Sequence, residues 1–198
     1  MSSLEIAVRR LCGELVEARF RFALIGGLAV SVRSEPRFTR DADIAVAIAD
    51  DVEAETLVRS LQQKGYAVVA IIEQDAVGRL ATVRLQPPGE SGNGLVLDLL
   101  FASSGIEREV VESAETLEVL PGFTVPVART GHLIALKVLS RDDRTRPQDV
   151  GDLRALLARA TWEELDRARE ALRLIESRGF HRGRKLMPML DELIAEKD

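Results

Sequence analysis

The sequence predicts an α/β fold that is followed by an all-helical C-terminal part. Apolar runs of strand length recur up to residue 128, and glycine or proline turns separate several of them. Amphipathic segments with helical spacing lie between the first runs, and after residue 129 the apolar patterns have helical spacing. We therefore predict an α/β domain over residues 1–128 and a helical part over residues 129–198.

The first elements are a helix, a strand, a glycine turn, a second helix and a second strand. Residues 4–19 place apolar side chains at roughly helical spacing. The strand that follows reaches the Gly26-Gly27 pair, and the next helix should end before Pro36, because proline cannot continue the helical hydrogen-bond ladder. The second strand occupies the apolar run over residues 41–48.

The sequence pattern of residues 50–128 predicts a helix, three strands, a short helix and two further strands. The helix covers residues 51–63, with Asp51 as its candidate N-cap. The three strands are the β-like runs Tyr66–Ile72, Leu80–Leu85 and Gly94–Phe101. An acidic helical piece and two strand-like runs about the Pro121-Gly122 turn follow. We find no residues with evident chemistry in the segment 103–128.

The C-terminal part begins with an apolar helix over Arg129–Leu139, in which Lys137 is a lone cation. A polar segment ends this helix. Thr145 followed by Gln148 is similar to a capping box, so the next helix should begin near Arg146. Two further helical faces run from Trp162 to Ile175, with Thr161 as cap, and from Leu186 to Ile194.

Composition limits the classes of function. The chain has 198 residues, 46% of them apolar, which is enough for a buried core. A net charge of −5 argues against a uniformly basic nucleic-acid binder, although local basic patches are compatible with it. Cys12, the one cysteine, cannot form an internal disulfide and is predicted to be a small core residue. With no secretory or membrane-spanning run in the sequence, we expect a cytoplasmic protein.

Asp41 and Asp43 are the first candidates for chemistry. Residues two apart in a strand share a face, so both carboxylates should point into the same space. Two like charges this close need a counter-charge, and a divalent cation such as Mg²⁺ is the usual one. The alternative is a strand end with two solvated aspartates.

Gly26 and Gly27 add a second feature to this stretch. A bare backbone can approach a ligand there, and the next helix offers unpaired N–H groups and the positive end of its dipole. The pair therefore predicts a phosphate seat, although a Gly-Gly dipeptide alone usually marks an ordinary turn. Together with the two aspartates, it predicts a phosphate-binding site that faces a metal-binding site.

Asp98 is a single charge within the apolar run LVLDLLF. An unpaired buried carboxylate costs several kcal/mol, so Asp98 should have a partner or lie at an open edge. A metal shared with Asp41 and Asp43 is one candidate partner, and an arginine is the other.

Gly26-Gly27 followed by Arg37-x-Thr39-x-Asp41-x-Asp43 resembles the signature of the DNA polymerase β-like nucleotidyltransferase superfamily, in particular the AbiEii/AbiGii toxin-like branch that includes the mycobacterial MenT toxins. Many members carry Gly-Ser where this chain has Gly26-Gly27. The resemblance implies a mixed sheet flanked by helices, two Mg²⁺ ions, a nucleoside triphosphate donor and transfer of a nucleotidyl group.

The resemblance also implies roles for individual residues. Asp98 would be a third metal-binding carboxylate that positions or deprotonates the attacking group, and Thr39 belongs to the nucleotide-binding motif. The loop that ends the second helix brings Arg33, Arg37 and Arg40 towards the acidic pair. Arg37 is the best candidate for orienting the aspartates or meeting phosphate, because its forked guanidinium suits both. Ordinary charge balance would explain the same arginines.

Lys137 and the Asp149-x-x-Asp152 pair resemble a further element of the toxin-like branch, in which the lysine contacts the triphosphate. A lysine at such a position commonly snorkels instead. Asp149 and Asp152 lie three apart on one helical face, where they would bind the nucleotide, interact with the helix dipole, or hold Lys137 or Arg144.

A basic segment stands out in this acidic chain and is a candidate site for an acceptor anion or RNA. Its candidate contacts are Arg178, His181, Arg182, Arg184 and Lys185, with Phe180 as a stacking surface. The alternative is a solvated helix junction.

These features lead to one functional hypothesis and one alternative. The first is a Mg²⁺-dependent nucleotidyltransferase that moves a nucleotidyl group from a nucleoside triphosphate to an acceptor hydroxyl, with a tRNA 3′ end as one candidate, and that acts as a toxin with a cognate antitoxin. The alternative is a non-catalytic module of the same fold that binds a nucleotide or a protein. Gly27 in place of serine suggests the alternative, whereas the three retained carboxylates oppose it.

Overall fold

The computed structural model describes residues 2–35, 39–74, 77–90, 94–141 and 148–196. Within these ranges the chain forms seven strands and eight helices, as the predicted α/β class requires. The strands are β1 Arg21–Ile25, β2 Asp41–Ala47, β3 Ala67–Gln74, β4 Arg79–Gln86, β5 Val96–Leu100, β6 Glu115–Leu120 and β7 Phe123–Val127. The helices are α1 Ser3–Glu17, α2 Gly26–Arg33, α3 Asp51–Gln63, α4 Glu107–Glu112, α5 Thr130–Ser140, α6 Gln148–Arg159, α7 Trp162–Ser177 and α8 Leu186–Ala195.

The strands form one mixed sheet in the order β3-β4-β5-β2-β1-β7-β6. β2 pairs with β5 in parallel, and β1 pairs with β7 in parallel. The other neighbouring strands are antiparallel. The prediction of a mixed sheet flanked by helices is confirmed. β2, which carries the Asp-x-Asp pair, lies in the middle of this sheet.

The strand register aligns charged residues across the sheet. Asp43 on β2 is opposite Ile25 on β1 and opposite Asp98 on β5. Asp98 is in turn opposite Arg84 on β4. Directly opposite residues on neighbouring strands project to the same face. Asp43, Asp98 and Arg84 therefore form one row across three strands, which we call the charged row.

One apolar core connects the sheet to the helices on both sides of residue 128. It includes Leu24 on β1, Leu99 on β5, Leu133 on α5 and Leu172 on α7, each at most 1% exposed. Every described strand precedes residue 128, and α5 to α8 follow it. The division into two parts at this point stays a prediction. Cys12 is buried on α1, in agreement with its predicted place in the core.

Some local predictions need correction or lie beyond what the structure describes. Asp50, and not Asp51, caps α3, because its carboxylate accepts the backbone N–H of Glu53 at 2.9 Å. Asp51 binds Arg79 instead, at 2.7 Å. Pro36 and the predicted capping residue Thr145, with the predicted helix start at Arg146, lie outside the described residues. No described helix combines the length and the apolar character that crossing a membrane requires.

Candidate active site

A cleft of about 210 Å³ opens between one end of the sheet and helices α5 and α6. It brings together many of the residues that the sequence singled out. Predicted site residues in its lining are Gly26, Gly27, Asp41, Asp43, Lys137, Asp149 and Arg182. The cleft is therefore the candidate site, and the sheet and the C-terminal helices each supply one wall.

Asp41 and Asp43 lie at the start of β2 and project from the same face of the strand. Asp41 is exposed and accepts a hydrogen bond of 2.6 Å from the hydroxyl of Thr39. Asp43 is partly buried. Both line the cleft, so their carboxylates face the same space as predicted.

Gly26 packs directly against Asp43. A β-carbon at Gly26 would lie 1.8 Å from Oδ2 of Asp43, far closer than two non-bonded atoms can approach. Gly26 also has a φ of +63°, a conformation that L residues rarely adopt. Glycine is thus required here for two independent reasons, and it brings the backbone into contact with the carboxylate.

Helix α2 begins at Gly26, and its cap residue Ile25 makes no side-chain capping bond. The N–H groups of a first helical turn have no partners within the helix. Gly27 is buried and its carbonyl accepts the hydroxyl of Ser31 at 3.0 Å, so the turn is held by the helix itself. The cleft therefore contains a backbone cradle and a positive dipole end beside Asp41 and Asp43.

Asp98 has an arginine partner. Its two oxygens accept bonds from Nε and Nη2 of Arg84, at 2.9 and 2.8 Å. The side chain of Asp98 is 9% exposed and that of Arg84 is 43% exposed. The arginine alternative from the sequence is therefore present, although the partner comes from β4, where sequence reasoning placed no functional residue.

Asp41 and Asp43 are the carboxylates on the sheet side of the cleft that could hold a cation. Among the described residues, no three of the His, Cys, Asp and Glu side chains are grouped so that they could hold a metal ion. Mg²⁺ typically takes one or two protein carboxylates and fills its other positions with water and phosphate. Asp41 and Asp43 beside the Gly26 cradle fit that requirement. The assignment of Asp98 as a metal ligand stays a prediction.

Lys137 is buried in the opposite wall of the cleft. Its ammonium group donates to Asp149 at 2.6 Å and lies 2.8 Å from Oδ2 of Asp152. Asp149 is also within 3.4 Å of the Ser140 hydroxyl. The two aspartates, one helical turn apart on α6, thus hold the lysine of α5. We call Lys137, Asp149 and Asp152 the buried trio.

The basic segment 178–185 is tied to the rest of the chain in several places, and we call it the basic turn. Arg178 binds Glu109 at 2.6 Å, and Arg184 donates to the carbonyl of Leu139 at 3.1 Å. Arg182 lines the cleft and donates to the carbonyl of Ser103 at 3.3 Å, whereas Lys185 is exposed.

The aromatic ring and the imidazole of the basic turn differ in exposure. Phe180 is 8% exposed and packs against Gly105, where a β-carbon would lie 2.5 Å from the ring. The prediction that Phe180 offers a stacking surface is wrong, because the ring belongs to the core. His181 is partly buried, and its Nδ1 atom makes no hydrogen bond to the described part of the chain, so its proposed role as an acceptor contact stays a prediction.

The three arginines expected near Asp41 and Asp43 differ in position and partners. Arg33 binds Glu115 at 2.7 Å and the carbonyl of Ala128 at 3.0 Å, so its expected place beside the acidic pair is wrong. Arg40 is exposed. Arg37, the predicted phosphate contact, lies outside the described residues.

Sequence reasoning missed one loop of the site. Ser103 and Ser104 line the cleft immediately after β5, in a segment for which no chemistry was expected. Glu107 is buried behind them and accepts the backbone N–H and the hydroxyl of Ser104, at 2.6 and 2.8 Å. Burial raises the pKa of Glu107, and the bonds from Ser104 oppose that shift. The sequence feature that could have identified this loop is the Ser103-Ser104-Gly105 run shortly after the strand that carries Asp98.

The sequence model of the family described as "Nucleotidyl transferase AbiEii toxin, Type IV TA system" matches residues 9–197. The chain belongs to this family. The match spans the sheet, the cleft and the C-terminal helices together. No curated protein shows significant sequence similarity to this AbiEii-family chain.

A solved structure of a nucleotidyltransferase-like protein shares the fold, and a second solved structure shows a weaker similarity. An antigenic nucleotidyltransferase-like protein from Paracoccidioides brasiliensis is similar over 100% of this chain and 95% of its own, with 20% identity and a TM-score of 0.52. The antibiotic-resistance factor ANT(2″)-Ia is similar over 96% of this chain and 89% of its own, with 18% identity and a TM-score of 0.48.

Proposed function

We propose that this AbiEii-family protein transfers a nucleotidyl group from a nucleoside triphosphate to an acceptor hydroxyl in a Mg²⁺-dependent reaction. The observation that carries the proposal is the contact between Gly26 and Asp43. It places a bare helix N-terminus, suited to phosphate, directly against a pair of carboxylates suited to a cation. A donor that contains both phosphate and a bound cation matches both halves of this arrangement.

The residues of the sheet would bind the donor. The backbone N–H groups at Gly26 and Gly27 would hold phosphate oxygens, and Asp41 and Asp43 would hold Mg²⁺. The ion supplies positive charge that stabilises the transferring phosphate. Thr39 would keep the Asp41 carboxylate oriented through its 2.6 Å bond. Arg37 is the proposed additional phosphate contact.

The helical wall would complete the donor site. Lys137 would contribute positive charge towards the triphosphate, with Asp149 and Asp152 fixing its position. The ammonium group has three donors, of which the two aspartates account for two. Charge stabilisation from a preorganised group costs no reorganisation during the reaction.

The transfer itself would be an in-line displacement at the α-phosphorus. The acceptor oxygen forms a bond to phosphorus, the bond from phosphorus to the bridging oxygen breaks, and pyrophosphate leaves. Asp98 would orient the hydroxyl or accept its proton. Arg84 uses one lone pair on each oxygen of Asp98, and a carboxylate has about four lone-pair sites, so acceptor capacity remains.

The acceptor and the biological role are further parts of the proposal. We propose a tRNA 3′ end as the acceptor, with Arg182 at the cleft and exposed Lys185 beside it as phosphate contacts. A toxin that is restrained by a cognate antitoxin in the cytoplasm is the corresponding role. The family name supports toxin function and leaves the acceptor open.

Calorimetry tests the donor site. Mg²⁺ and each of the four nucleoside triphosphates would be titrated into the wild type, the Asp41→Asn/Asp43→Asn variant and a control, Asp166→Asn/Asp191→Asn. The control removes two exposed carboxylates of α7 and α8 that do not line the cleft. We expect metal-dependent binding of a nucleotide that the first variant loses and the control keeps. Equal binding in all three proteins would contradict the proposed site.

A second candidate function is a non-catalytic nucleotide-binding module. The bidentate grip of Arg84 on Asp98 favours it, because the arginine occupies one lone pair on each oxygen of the carboxylate that would orient the acceptor. Incubation with labelled nucleoside triphosphate and total tRNA separates the two candidates. Metal-dependent release of pyrophosphate indicates the transferase, and tight binding without release indicates the module.

A further inference from the structure

The charged row places a cation beside the acidic site. Asp43, Asp98 and Arg84 are direct neighbours across β2, β5 and β4, and they share one face of the sheet. Arg84 is not part of the cleft lining, and it reaches the row from the side opposite to Asp43. Its positive charge therefore lies behind Asp98 as seen from Asp43.

Two hydrogen bonds and the surrounding charges hold Arg84 in this position. Its fork makes two bonds of 2.9 and 2.8 Å to Asp98, a geometry in which arginine matches a carboxylate especially well. The pKa of Arg84 is raised, first by Asp98 and to a lesser extent by the charges of Asp43 and Asp41. The guanidinium thus interacts electrostatically with all three carboxylates.

We propose that Arg84 is the resident counter-cation of Asp98 and that it sets the affinity of the cleft for a divalent cation. With Arg84 present, a cation is held by Asp41 and Asp43, and Asp98 is neutralised by its own partner. Without Arg84, Asp98 becomes available as an additional ligand and the row becomes more negative. The inference rests on the proposed function only in assuming that Asp41 and Asp43 bind the cation.

Two effects act in the same direction when Arg84 is neutralised. A positive charge that repels the incoming cation is removed, and an almost buried carboxylate is left without its partner, which is unfavourable until a cation replaces it. Across two strand intervals, about 10 Å, one unit charge changes the affinity for a divalent ion by about fourfold at the dielectric constant of water and by more than a hundredfold at roughly 20. Because Arg84 is 43% exposed, we expect an intermediate effect of about tenfold.

The test uses Mn²⁺ without nucleotide as the probe, since it shares the oxygen-ligand preference of Mg²⁺. Its dissociation constant would be measured by calorimetry for the wild type, Arg84→Met and Arg79→Met. Arg79 is the matched control, because it lies on the same strand, is 37% exposed and pairs with Asp51, away from the cleft. We expect about tenfold tighter binding for Arg84→Met and less than twofold change for Arg79→Met. Equal values for the two variants would overturn the proposal.

Two further variants separate charge from ligand exchange. Arg84→Lys keeps the charge and should bind Mn²⁺ within about threefold of the wild type. Arg84→Met/Asp98→Asn removes both members of the pair and should also return to within about threefold of the wild type, because neither the extra ligand nor the extra negative charge is present. Loss of more than about tenfold in this double variant would show that Asp98 already binds the cation beside Arg84, and would overturn the proposal.

The design remains decisive if Arg84→Met folds poorly. Replacing both members of a buried ion pair by neutral groups is tolerated far better than removing one, so the double variant should fold and still test the role of Asp98. Thermal unfolding of each protein with and without Mn²⁺ provides a second readout, and Arg84→Met should show the largest Mn²⁺-induced rise in melting temperature. Failure of the proposed function is distinct, since Mn²⁺ would then bind equally to the wild type and to Asp41→Asn/Asp43→Asn.

Discussion

The buried trio and the basic turn both bring cations to the helical side of the cleft, but they hold those cations in different ways. In the buried trio, Lys137 is 7% exposed and its two carboxylate partners are at most 4% exposed. In the basic turn, Arg182 and Lys185 are exposed. Arg182 donates to the carbonyl of Ser103, whereas Arg178 and Arg184 each make two bonds to other segments of the protein. The difference predicts that a buried charge at this site contributes to folding stability, whereas an exposed charge can change with little effect on it.

The largest effect should come from breaking the buried trio. Lys137→Met removes the buried cation that contacts both Asp149 and Asp152, and we expect the free energy of unfolding to fall by about 3–5 kcal/mol. Chemical denaturation monitored by circular dichroism measures this change. Lys64→Met is the control, because Lys64 forms exposed ion pairs with Glu14 and Glu17 that should contribute little.

A rescue experiment sharpens this prediction. Lys137→Met/Asp149→Asn/Asp152→Asn also removes the two buried carboxylate charges, and it should recover most of the lost stability without recovering nucleotide binding. If Lys137→Met is as stable as Lys64→Met, the trio does not couple charge burial to folding, and the comparison with the basic turn fails.

The next effect depends on pH and involves His132, which lies on α5 five residues before Lys137. Burial, followed by repulsion from Arg167 and Arg129, lowers the pKa of His132 from 6.5 to about 4. Between pH 6.5 and pH 4, His132 is protonated in the unfolded chain and neutral in the folded chain. The free energy of unfolding should therefore decrease as the pH falls through this range. The two pKa values correspond to about 3 kcal/mol lost between pH 6.5 and pH 4.

His132→Asn isolates this contribution from the carboxylates that also titrate in acid. The difference in unfolding free energy between the wild type and His132→Asn should change with pH over the interval from 6.5 to 4. His181→Asn, which removes the second histidine, is the control. A wild-type curve parallel to that of His132→Asn would contradict the assignment.

Gly26 provides a smaller effect on stability that is tied directly to the site. Gly26→Ala forces a β-carbon into Asp43 at a φ of +63°, and we expect a loss of about 2–3 kcal/mol together with loss of nucleotide binding. Gly78 has nearly the same φ, +59°, and apart from its two chain neighbours no described residue lies within 4 Å of its β-carbon position. Gly78→Ala should therefore cost only about 1 kcal/mol, and the difference measures the contact with Asp43.

The sequence was most informative where one charge interrupts an apolar pattern. Lys137 and Asp98 each lie in such a pattern, and each has an oppositely charged partner in the structure, because burying a lone charge is costly. The alternation in β2 likewise placed Asp41 and Asp43 on one face, and the order of strands and helices followed from the apolar spacing. These features depend on local periodicity and on the cost of desolvation, both of which can be evaluated along the chain.

The identity of the partners could not be predicted in the same way. Arg84 meets Asp98 because β4 and β5 pair in one particular register, and a one-residue shift would place the arginine on the other face. The contact between Phe180 and Gly105, which removes Phe180 from the surface, also depends on packing between distant segments. The basic turn showed the same limit, since the carbonyl groups that bind Arg184 belong to the end of α5 and the residue after it.

The smallest effects should come from the basic turn, where the comparison can be tested within a single segment. Arg182→Gln/Lys185→Gln removes exposed charge, and if the acceptor is tRNA, affinity should fall several-fold and the slope of log K against log salt should decrease by about 2. Arg178→Gln/Arg184→Gln removes charges that bind the protein, and it should instead lower the free energy of unfolding by about 1 kcal/mol per residue. Filter binding to total tRNA at several salt concentrations, together with denaturation, measures both quantities. The contradicting outcome is that Arg178→Gln/Arg184→Gln reduces tRNA binding as much as the first pair and leaves the free energy of unfolding unchanged. The bonds of Arg178 and Arg184 to the protein would then contribute nothing to stability and would not keep these side chains from binding tRNA.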